Sequence, residues 1–402
     1  MKLLADQKRS REELYGARLE RDIRNYLVKY SVPGISIAIM RDGRLEYADA
    51  FGSARRPFGT SQALTESDSF RVASISKMVT AACVMRLSQE GRITLDRTVF
   101  GTNGILGTAY GTKPYTGFTT MLTVRHLLKH TSGWTDLDAV GAPLDPMFTS
   151  PGRTRAQIIG YMLDERPPMR APGLLYEYSN FGYCLLGRVI EKVTGKTYEQ
   201  YAKDAVLSKC GISRMHIGSE SPAAVNSGEV EYFGEGLRNP YKLRVGLFDS
   251  HGGWVATPID LLRMVKEIGV FSMREGVLTR GTKAQMIFGS DDAPGYGAGL
   301  ELFHGPPMYV PPVTPSSPPV KIPGRVVSAG HSGWMVGTMG FLISRDDGYS
   351  FAFLANKQPE RLSGESAYDG SILYVADRII WPAIDFVSAS GYKPYDLFPL
   401  YD

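Results

Sequence analysis

The stretch FRVASISKMVTAACVMRL, Phe70 to Leu87, decides how the chain is interpreted. Its apolar residues recur at the spacing of a buried helix, which we predict to reach about Gln89 and to end at Gly91. Ser74 and Lys77 stand three residues apart at the start of that helix and therefore share one face. A serine in this position is either an N-cap or a nucleophile whose proton a desolvated lysine takes.

The composition indicates a large soluble globular protein. The chain has 402 residues, of which 43% are hydrophobic and 21% charged, so it can bury a sizeable core. Its net charge of +4 is mild and its basic residues are dispersed, which argues against a nucleic-acid partner. No run approaches the about 18 apolar residues of a membrane span. The apolar patch in MKLLADQKRS is too short for a secretory signal, so we favour a cytoplasmic location and leave the oligomeric state open.

The three cysteines are expected to be buried packing residues. Cys83, Cys184 and Cys210 are far apart and form no Cys-x-x-Cys pair, so they indicate neither a disulfide framework nor a zinc knuckle.

Hydrophobic periodicity predicts an α/β part at each end of the chain and a mostly helical part between them. An amphipathic helix from about Glu12 to Lys29 precedes a hairpin of Ile35 to Met40 and Leu45 to Phe51, with its turn at Asp42-Gly43. The proline-rich segment Gly305 to Gly324 is expected to be an extended loop between strands. Further helices are predicted at Thr123 to Lys129, Thr154 to Leu163, Tyr183 to Val193, Tyr198 to Val206, Pro258 to Gly269 and Ala367 to Trp381. Further strands are predicted at Gly299 to Phe303, Arg325 to Ala329, Thr338 to Ile343 and Ser350 to Leu354.

Two other candidate sites lack residues that their chemistry requires. Ser332 in AGHSGWMVG lacks the second glycine of a nucleophile elbow, because Trp334 stands there, and no histidine follows it in the chain. His126 and His130 in HLLKH share a helical face, but Leu127 replaces the glutamate of a zinc protease. We therefore expect no metal site and a structural role for one or both histidines.

Three short motifs occur along the chain in this order: Ser74-Ile75-Ser76-Lys77, Tyr178-Ser179-Asn180 and His331-Ser332-Gly333. In order and spacing they resemble the motifs of the serine β-lactamase and penicillin-binding protein superfamily, most closely its class C branch. Supporting pieces are HLLKHTSGW, GGWVATPIDLLRM and YGAGLEL, so the resemblance runs from about Val32 to Asn356. It implies an α/β (α+β) fold with a largely antiparallel sheet flanked by helices and a mostly helical second lobe. We predict a discontinuous α/β domain of residues 1–98 and 240–402, with 99–239 as the helical domain.

The resemblance implies acyl transfer through Ser74. Lys77 would hold or take the serine proton, Tyr178 would act as general base and later as acid, and Asn180 would orient Lys77 and the acyl substituent. The backbone N–H groups of Ser74 and Trp334 would form the oxyanion hole. No metal or organic cofactor is implied.

The third motif departs from the family pattern. His331 and Ser332 precede Gly333 where β-lactamases carry a Lys-Thr-Gly-like motif, and a mostly neutral imidazole cannot match a fixed ammonium for a substrate carboxylate. Gly333 would let the substrate lie close to the strand. We therefore expect an esterase acting on a small-molecule substrate.

Three alternatives stay open, namely amide hydrolysis as a β-lactamase, D-aminopeptidase or DD-carboxypeptidase, acyl transfer to a small alcohol, and a catalytically silent scaffold. Several aromatic residues near the motifs either line an apolar pocket or belong to the core: Trp134, Tyr176, Phe181, Trp254 and Trp334.

Overall fold

The computed structural model describes residues 2–55, 62–134, 145–150, 152–219, 228–234, 239–287, 295–305, 308–310, 320–322, 325–360, 364–390 and 396–401. Within them, no helix has the length and apolar character needed to cross a membrane. All three cysteines are buried and unpaired, as predicted.

A seven-stranded antiparallel sheet forms one layer of the molecule. The strands are β1 Gly34–Arg41, β2 Arg44–Arg55, β3 Gln62–Ala63, β7 Glu301–His304, β10 Val326–Met335, β11 Thr338–Arg345 and β12 Tyr349–Ala355, in the order β3-β2-β1-β12-β11-β10-β7. A three-stranded sheet joins β4 Phe70–Arg71, β6 Trp254–Ala256 and β5 His216–Ile217, and β8 Met308–Val310 pairs with β9 Val320–Ile322.

The predicted hairpin opens the sheet. Asp42 and Gly43 at its turn both have positive φ, 49° and 76°, as a two-residue turn with right-handed strand twist requires.

The two faces of the large sheet bury different clusters because side chains alternate along each strand. Ile35, Ile37 and Ile39 of β1 pack into one cluster with the first and last helices, whereas Ala38 and Met40 join a larger cluster on the opposite face. The larger cluster also contains most of the helix that follows Ser74 and continues into the helical segment between residues 117 and 210. The helix that follows Ser74 therefore lies between the sheet and the helical segment. The domain boundaries stay a prediction.

The helices follow the predicted order. They are α1 Lys2–Lys29, α2 Ser76–Gln89, α3 Gly117–Met121, α4 Val124–Leu128, α5 Pro146–Thr149, α6 Arg155–Glu165, α7 Asn180–Thr194, α8 Tyr198–Ala202, α9 Pro258–Ile268, α10 Arg280–Ile287, α11 Ile372–Tyr374 and α12 Trp381–Ala389. One-turn 3₁₀ segments occupy Ala73–Ile75, Ser208–Cys210, Pro240–Lys242, Val245–Phe248 and Phe398–Leu400, and π-helical segments occupy Lys203–Leu207 and Val375–Ile380.

Several predicted boundaries differ from the structure: α1 begins at Lys2 instead of about Glu12, and β2 runs on to Arg55 instead of Phe51. β10 runs on to Met335, six residues beyond the predicted end at Ala329, so the third motif lies inside a strand rather than after one. The last helical region starts at Ile372 instead of Ala367 and continues to Ala389. In the proline-rich segment the described parts form the short β8–β9 pair, while residues 311–319 lie outside the described residues.

Candidate active site

Ser74 lies in a short turn held between the two sheets. β4 leads into this turn, where Val72 N donates to Trp254 O at 2.9 Å. Ala73 adopts a left-handed φ of 47°, a costly conformation for a residue with a Cβ, and the 3₁₀ turn Ala73–Ile75 then opens α2. The Ser74 side chain does not cap the helix. Its Oγ instead accepts hydrogen bonds from Lys77 Nζ at 3.1 Å and from the Tyr178 hydroxyl at 2.8 Å.

Lys77 is buried, and three oxygen acceptors of its ammonium are found among the described residues. Besides Ser74 Oγ, Nζ donates to Asn180 Oδ1 at 2.6 Å and to the backbone oxygen of His251 at 3.0 Å. The Tyr178 ring lies with its centroid 4.7 Å from the same nitrogen. The i, i+3 spacing therefore brings lysine and serine together as the sequence predicts, and the second motif completes the cluster.

A buried histidine holds the second motif in place. Ser179 caps α7 by accepting from Gly182 N at 3.1 Å, which leaves Tyr178 just outside the helix. His130 Nδ1 accepts from Ser179 N at 3.0 Å, and its ring centroid lies 4.4 Å from that of Tyr178. Since Nδ1 is an acceptor, the ring proton is on Nε2, and burial holds the pKa of His130 well below its ordinary value.

The expected structural role of the HLLKH histidines is confirmed: His126 also completes the capping box of α4. Among the described residues no group of side chains is arranged to hold a metal.

Asp145 is a further member of the cluster that lies outside all three motifs. It caps α5, with Oδ1 accepting from Met147 N at 2.8 Å, and Oδ2 accepts from Asn180 Nδ2 at 3.0 Å. These contacts fix the orientation of the Asn180 amide, because only one orientation offers NH₂ to the carboxylate and oxygen to Lys77. Burial raises the pKa of Asp145 to about 6.

The third motif lies on β10, directly against the turn that carries Ser74. A side chain at Gly333 would place its Cβ 2.4 Å from Val72 O, so only glycine permits this approach. Thr338, at the start of the next strand, donates to Arg71 O at 2.8 Å and so holds the end of β4, which leads into the same turn. The structure therefore brings all three motifs to one place.

His331 and Ser332 are bonded to neighbouring side chains rather than left open. His331 is buried; its Nδ1 must donate to Ser332 O, 2.6 Å away, because a carbonyl only accepts, and Nε2 then accepts from the Tyr296 hydroxyl at 2.9 Å. Burial lowers the pKa of His331 below its ordinary value, so the ring is uncharged at neutral pH. Ser332 Oγ donates to Glu301 Oε1 at 2.6 Å.

The aromatic residues divide between core and surface. Trp134, Phe181 and Trp254 are buried in the large hydrophobic cluster. Trp334 is 52% exposed at the end of β10. Tyr176 is 36% exposed, and its ring lies 5.8 Å from that of Tyr296. Only these last two are placed to meet a bound molecule.

Comparison with known proteins decides the family. A family model described as Beta-lactamase matches residues 19–373 of the chain. The chain belongs to the Beta-lactamase family. Its three motifs lie within the matched region, as do Asp145 and Glu301.

Several solved structures have a similar fold. The octameric penicillin-binding protein homologue from Pyrococcus abyssi has a TM-score of 0.67 at 23% identity, covering 94% of this chain and 77% of that chain. The D-amino acid amidase from Ochrobactrum anthropi SV3, complexed with L-phenylalanine amide, has a TM-score of 0.66 at 21% identity, with coverage of 93% and 99%. The D-alanine carboxypeptidase AmpC from Burkholderia cenocepacia has a TM-score of 0.64 at 18% identity, with coverage of 96% and 99%. These likenesses show the fold.

Curated relatives match over shorter stretches. Protein flp of Staphylococcus aureus strain MW2 is 30% identical over 183 residues, 45% of this chain and 34% of flp. The putative fimbrial assembly protein FimD, serogroup D, of Dichelobacter nodosus is 31% identical over 147 residues, 36% of this chain and 34% of that protein. The matched part thus spans about a third of these relatives.

Sequence reasoning alone missed the parts of the site that touch the motifs from outside. YGAGLEL supports the resemblance, yet nothing in it indicates a role for Tyr296 or Glu301. GGWVATPIDLLRM begins one residue after His251, whose backbone oxygen binds Lys77. Asp145 had one local signal, an acidic residue before proline, which is typical of a helix start and says nothing of Asn180.

Proposed function

We propose that this member of the Beta-lactamase family hydrolyses carboxylic esters through an acyl-Ser74 intermediate. The observation that carries the proposal is the pair of hydrogen bonds at Ser74 Oγ, from Lys77 Nζ at 3.1 Å and from the Tyr178 hydroxyl at 2.8 Å. A nucleophile with a general base in hydrogen-bond reach, itself held by further groups, is the arrangement that covalent catalysis requires. A serine placed only to cap α2 would need none of these partners.

The proposed reaction has two steps. In the first, Tyr178 acts as its phenolate, stabilised by the Lys77 ammonium, and Ser74 Oγ attacks the ester carbonyl as its proton moves to the Tyr178 oxygen. Tyr178 then protonates the departing alcohol, and the acyl group stays on Ser74. In the second step water loses a proton to Tyr178 and attacks the acyl carbon, which releases the acid and returns the proton to Ser74.

The proposed oxyanion donors are the backbone N–H groups of Ser74 and Trp334. The close approach of Gly333 to Val72 supports this choice, because it brings β10 beside the nucleophile turn. The ester preference is supported by His331, since a buried uncharged imidazole gives a substrate carboxylate no cation to bind.

The test is the initial rate on p-nitrophenyl butyrate and on a chromogenic cephalosporin, with Ser74→Ala as the blank for each. We expect a Ser74-dependent rate dominated by the ester. Equal turnover by Ser74→Ala would refute the nucleophile assignment, and a dominant cephalosporin rate would refute the ester preference.

Two further measurements separate the alternatives within the same chemistry. The rate on the matched p-nitroanilide of butyrate tests amide hydrolysis, and product analysis with added alcohol tests acyl transfer. We expect slower anilide cleavage and mainly free butyrate. A butyrate ester as the main product would instead identify an acyltransferase.

A further inference from the structure

Glu301 stands where the open edge of β10 begins. β7 starts at Glu301, which pairs with Gly330, and the pairing of these two strands runs back from there to His304 opposite Val326. In the described part of the chain, β10 has only β11 beside it from His331 onward. Gly333, on this open stretch, packs against the turn of Ser74.

The carboxylate of Glu301 lies at this edge. Its Oε1 accepts from Ser332 Oγ at 2.6 Å and lies 3.5 Å from His331 Nδ1. Because consecutive residues of a strand point to opposite faces, an oxygen that reaches both side chains must lie beside the strand between the two faces. The Glu301 side chain is 29% exposed, so solvent and solutes reach it.

No cation of the third motif offsets this negative charge. His331 is uncharged, and it uses both ring nitrogens in hydrogen bonds. Lys77 is buried against its three acceptors, and Arg170, beside the second motif, is paired with Glu177 at 2.5 Å. The negative charge of Glu301 also acts on Tyr176 at the rim of the site. Burial and, after it, this charge raise the pKa of Tyr176 to about 12.

An exposed aromatic ring lies on the same strand. Trp334 is two residues after Ser332 and therefore on the same face of β10, with about half its surface exposed. Two residues along a strand correspond to about 6–7 Å. Glu301 is hydrogen-bonded to the first of these two positions, and the indole stands at the second. A carboxylate and an indole at successive positions on one strand face suit a bulky cation such as a substituted ammonium group, which gains from both charge and the ring face.

We propose that Glu301 is a charge-selecting residue, which favours substrates carrying a substituted ammonium group beside the third motif and disfavours substrates carrying a carboxylate there. The inference rests on the proposed function, because it assumes that the substrate lies along β10 next to Ser74. An uncharged His331 only removes the binding of a substrate carboxylate. Glu301 would in addition make the site favour a positively charged substrate.

The kinetic test compares butyrylcholine with its uncharged carbon isostere, 3,3-dimethylbutyl butyrate. The wild type should prefer the choline ester in kcat/KM, and Glu301→Gln should lower that preference about fivefold, as loss of one partly exposed charge pair implies. Glutamine still offers Ser332 an acceptor, so the rate on the neutral ester should fall less than the rate on the choline ester. Added salt should weaken the preference of the wild type and not that of the variant. Glu165→Gln, which removes an exposed carboxylate paired with Lys113, is the matched control and should change neither rate.

A binding test separates failure of the inference from failure of the proposed function. Phenylboronic acids form reversible adducts with nucleophilic serines, so their Kd can be measured by calorimetry without turnover. The meta substituents trimethylammonio, tert-butyl and carboxylate are compared in the wild type and in Glu301→Gln, so that electronic effects on boron cancel in the ratio. We expect the cation to lose and the carboxylate to gain affinity in the variant. If Glu301→Gln leaves both the kcat/KM ratio of the two esters and the Kd ratios of the boronic acids unchanged, the inference is overturned and the proposed function stands. If the boronic acids bind the wild type no more tightly than they bind Ser74→Ala, both are overturned.

Discussion

Asp145→Asn is the sharpest test of how Lys77 is held. Asp145 Oδ1 caps α5 through Met147 N, so the asparagine oxygen should keep that contact and leave its NH₂ group facing Asn180 Nδ2, 3.0 Å away in the native protein. Two donors then oppose each other. If the Asn180 amide rotates to relieve this, it turns NH₂ toward the Lys77 ammonium in place of the oxygen that accepts at 2.6 Å.

Either response removes a hydrogen bond to a charged group, which is worth about 1.5–3 kcal/mol. Since about 1.4 kcal/mol corresponds to a factor of ten, kcat/KM should fall roughly 10- to 100-fold. The assay is kcat/KM for p-nitrophenyl butyrate at neutral pH, with Tm and circular dichroism as checks that α5 remains folded. Below about pH 6 the loss should shrink, because Asp145 is then uncharged in the wild type as well.

A double-mutant cycle decides whether the effect passes through Asn180. In an Asn180→Ala background Asp145→Asn has no amide to misorient, so its further cost in kcat/KM should lie within about twofold. If Asp145→Asn costs the same factor in both backgrounds, the reasoning is wrong and Asp145 acts through the fold of α5 alone.

Three further outcomes are expected. Tyr178→Phe removes the hydroxyl 2.8 Å from Ser74 Oγ and should lower kcat by about 10²–10⁴ with Tm unchanged, whereas a loss below tenfold would exclude it as the base. Gly333→Ala places a Cβ 2.4 Å from Val72 O and should lower kcat/KM about 100-fold, while Gly281→Ala, with no atom within 4 Å of its added Cβ, serves as the control and should have little effect. Burial lowers the folded-state pKa values of His130, His251 and His331, so in this pH range only the unfolded chain takes up their protons. The free energy of unfolding should therefore fall from about pH 7 to about pH 5, by up to about 1.4 kcal/mol per pH unit for each of these histidines. A series of urea titrations that shows no fall would contradict this.

The order and type of the main elements could be predicted because their signals are local. The Asp42-Gly43 turn and the alternation in β1 belong to neighbouring residues, and so does the Gly195 cap that ends α7 with φ 71°. The end of β10 could not be placed, because Gly330 and Gly333 interrupt its strand signal and glycine is depleted in strands. Pairing with β11 extends that strand to Met335, and tertiary contacts of this kind leave no trace in the strand's own residues.

The same distinction explains the site. The residues of the three motifs were predicted through a family resemblance, and the structure brings them together around Ser74. Asp145 and Glu301 were not, because each acts across a long sequence separation: Asp145 on Asn180, 35 residues away, and Glu301 on Ser332, 31 residues away. Neither side chain differs in sequence from an ordinary surface carboxylate. Only the folding of α5 against α7, and of β7 against β10, gives these two acids their contacts.

The two carboxylates also indicate why this site can accept a cation at all. The Lys77 ammonium is held by oxygen acceptors, and the buried Asp145 lies one amide away from it across Asn180. The charge of Lys77 is therefore compensated within the protein, and a substrate need not bring a negative group to offset it. The third motif is then free of any requirement for carboxylate binding. With His331 uncharged and Glu301 at the edge of β10, its electrostatic preference has the opposite sign, and the choline ester comparison measures that preference directly.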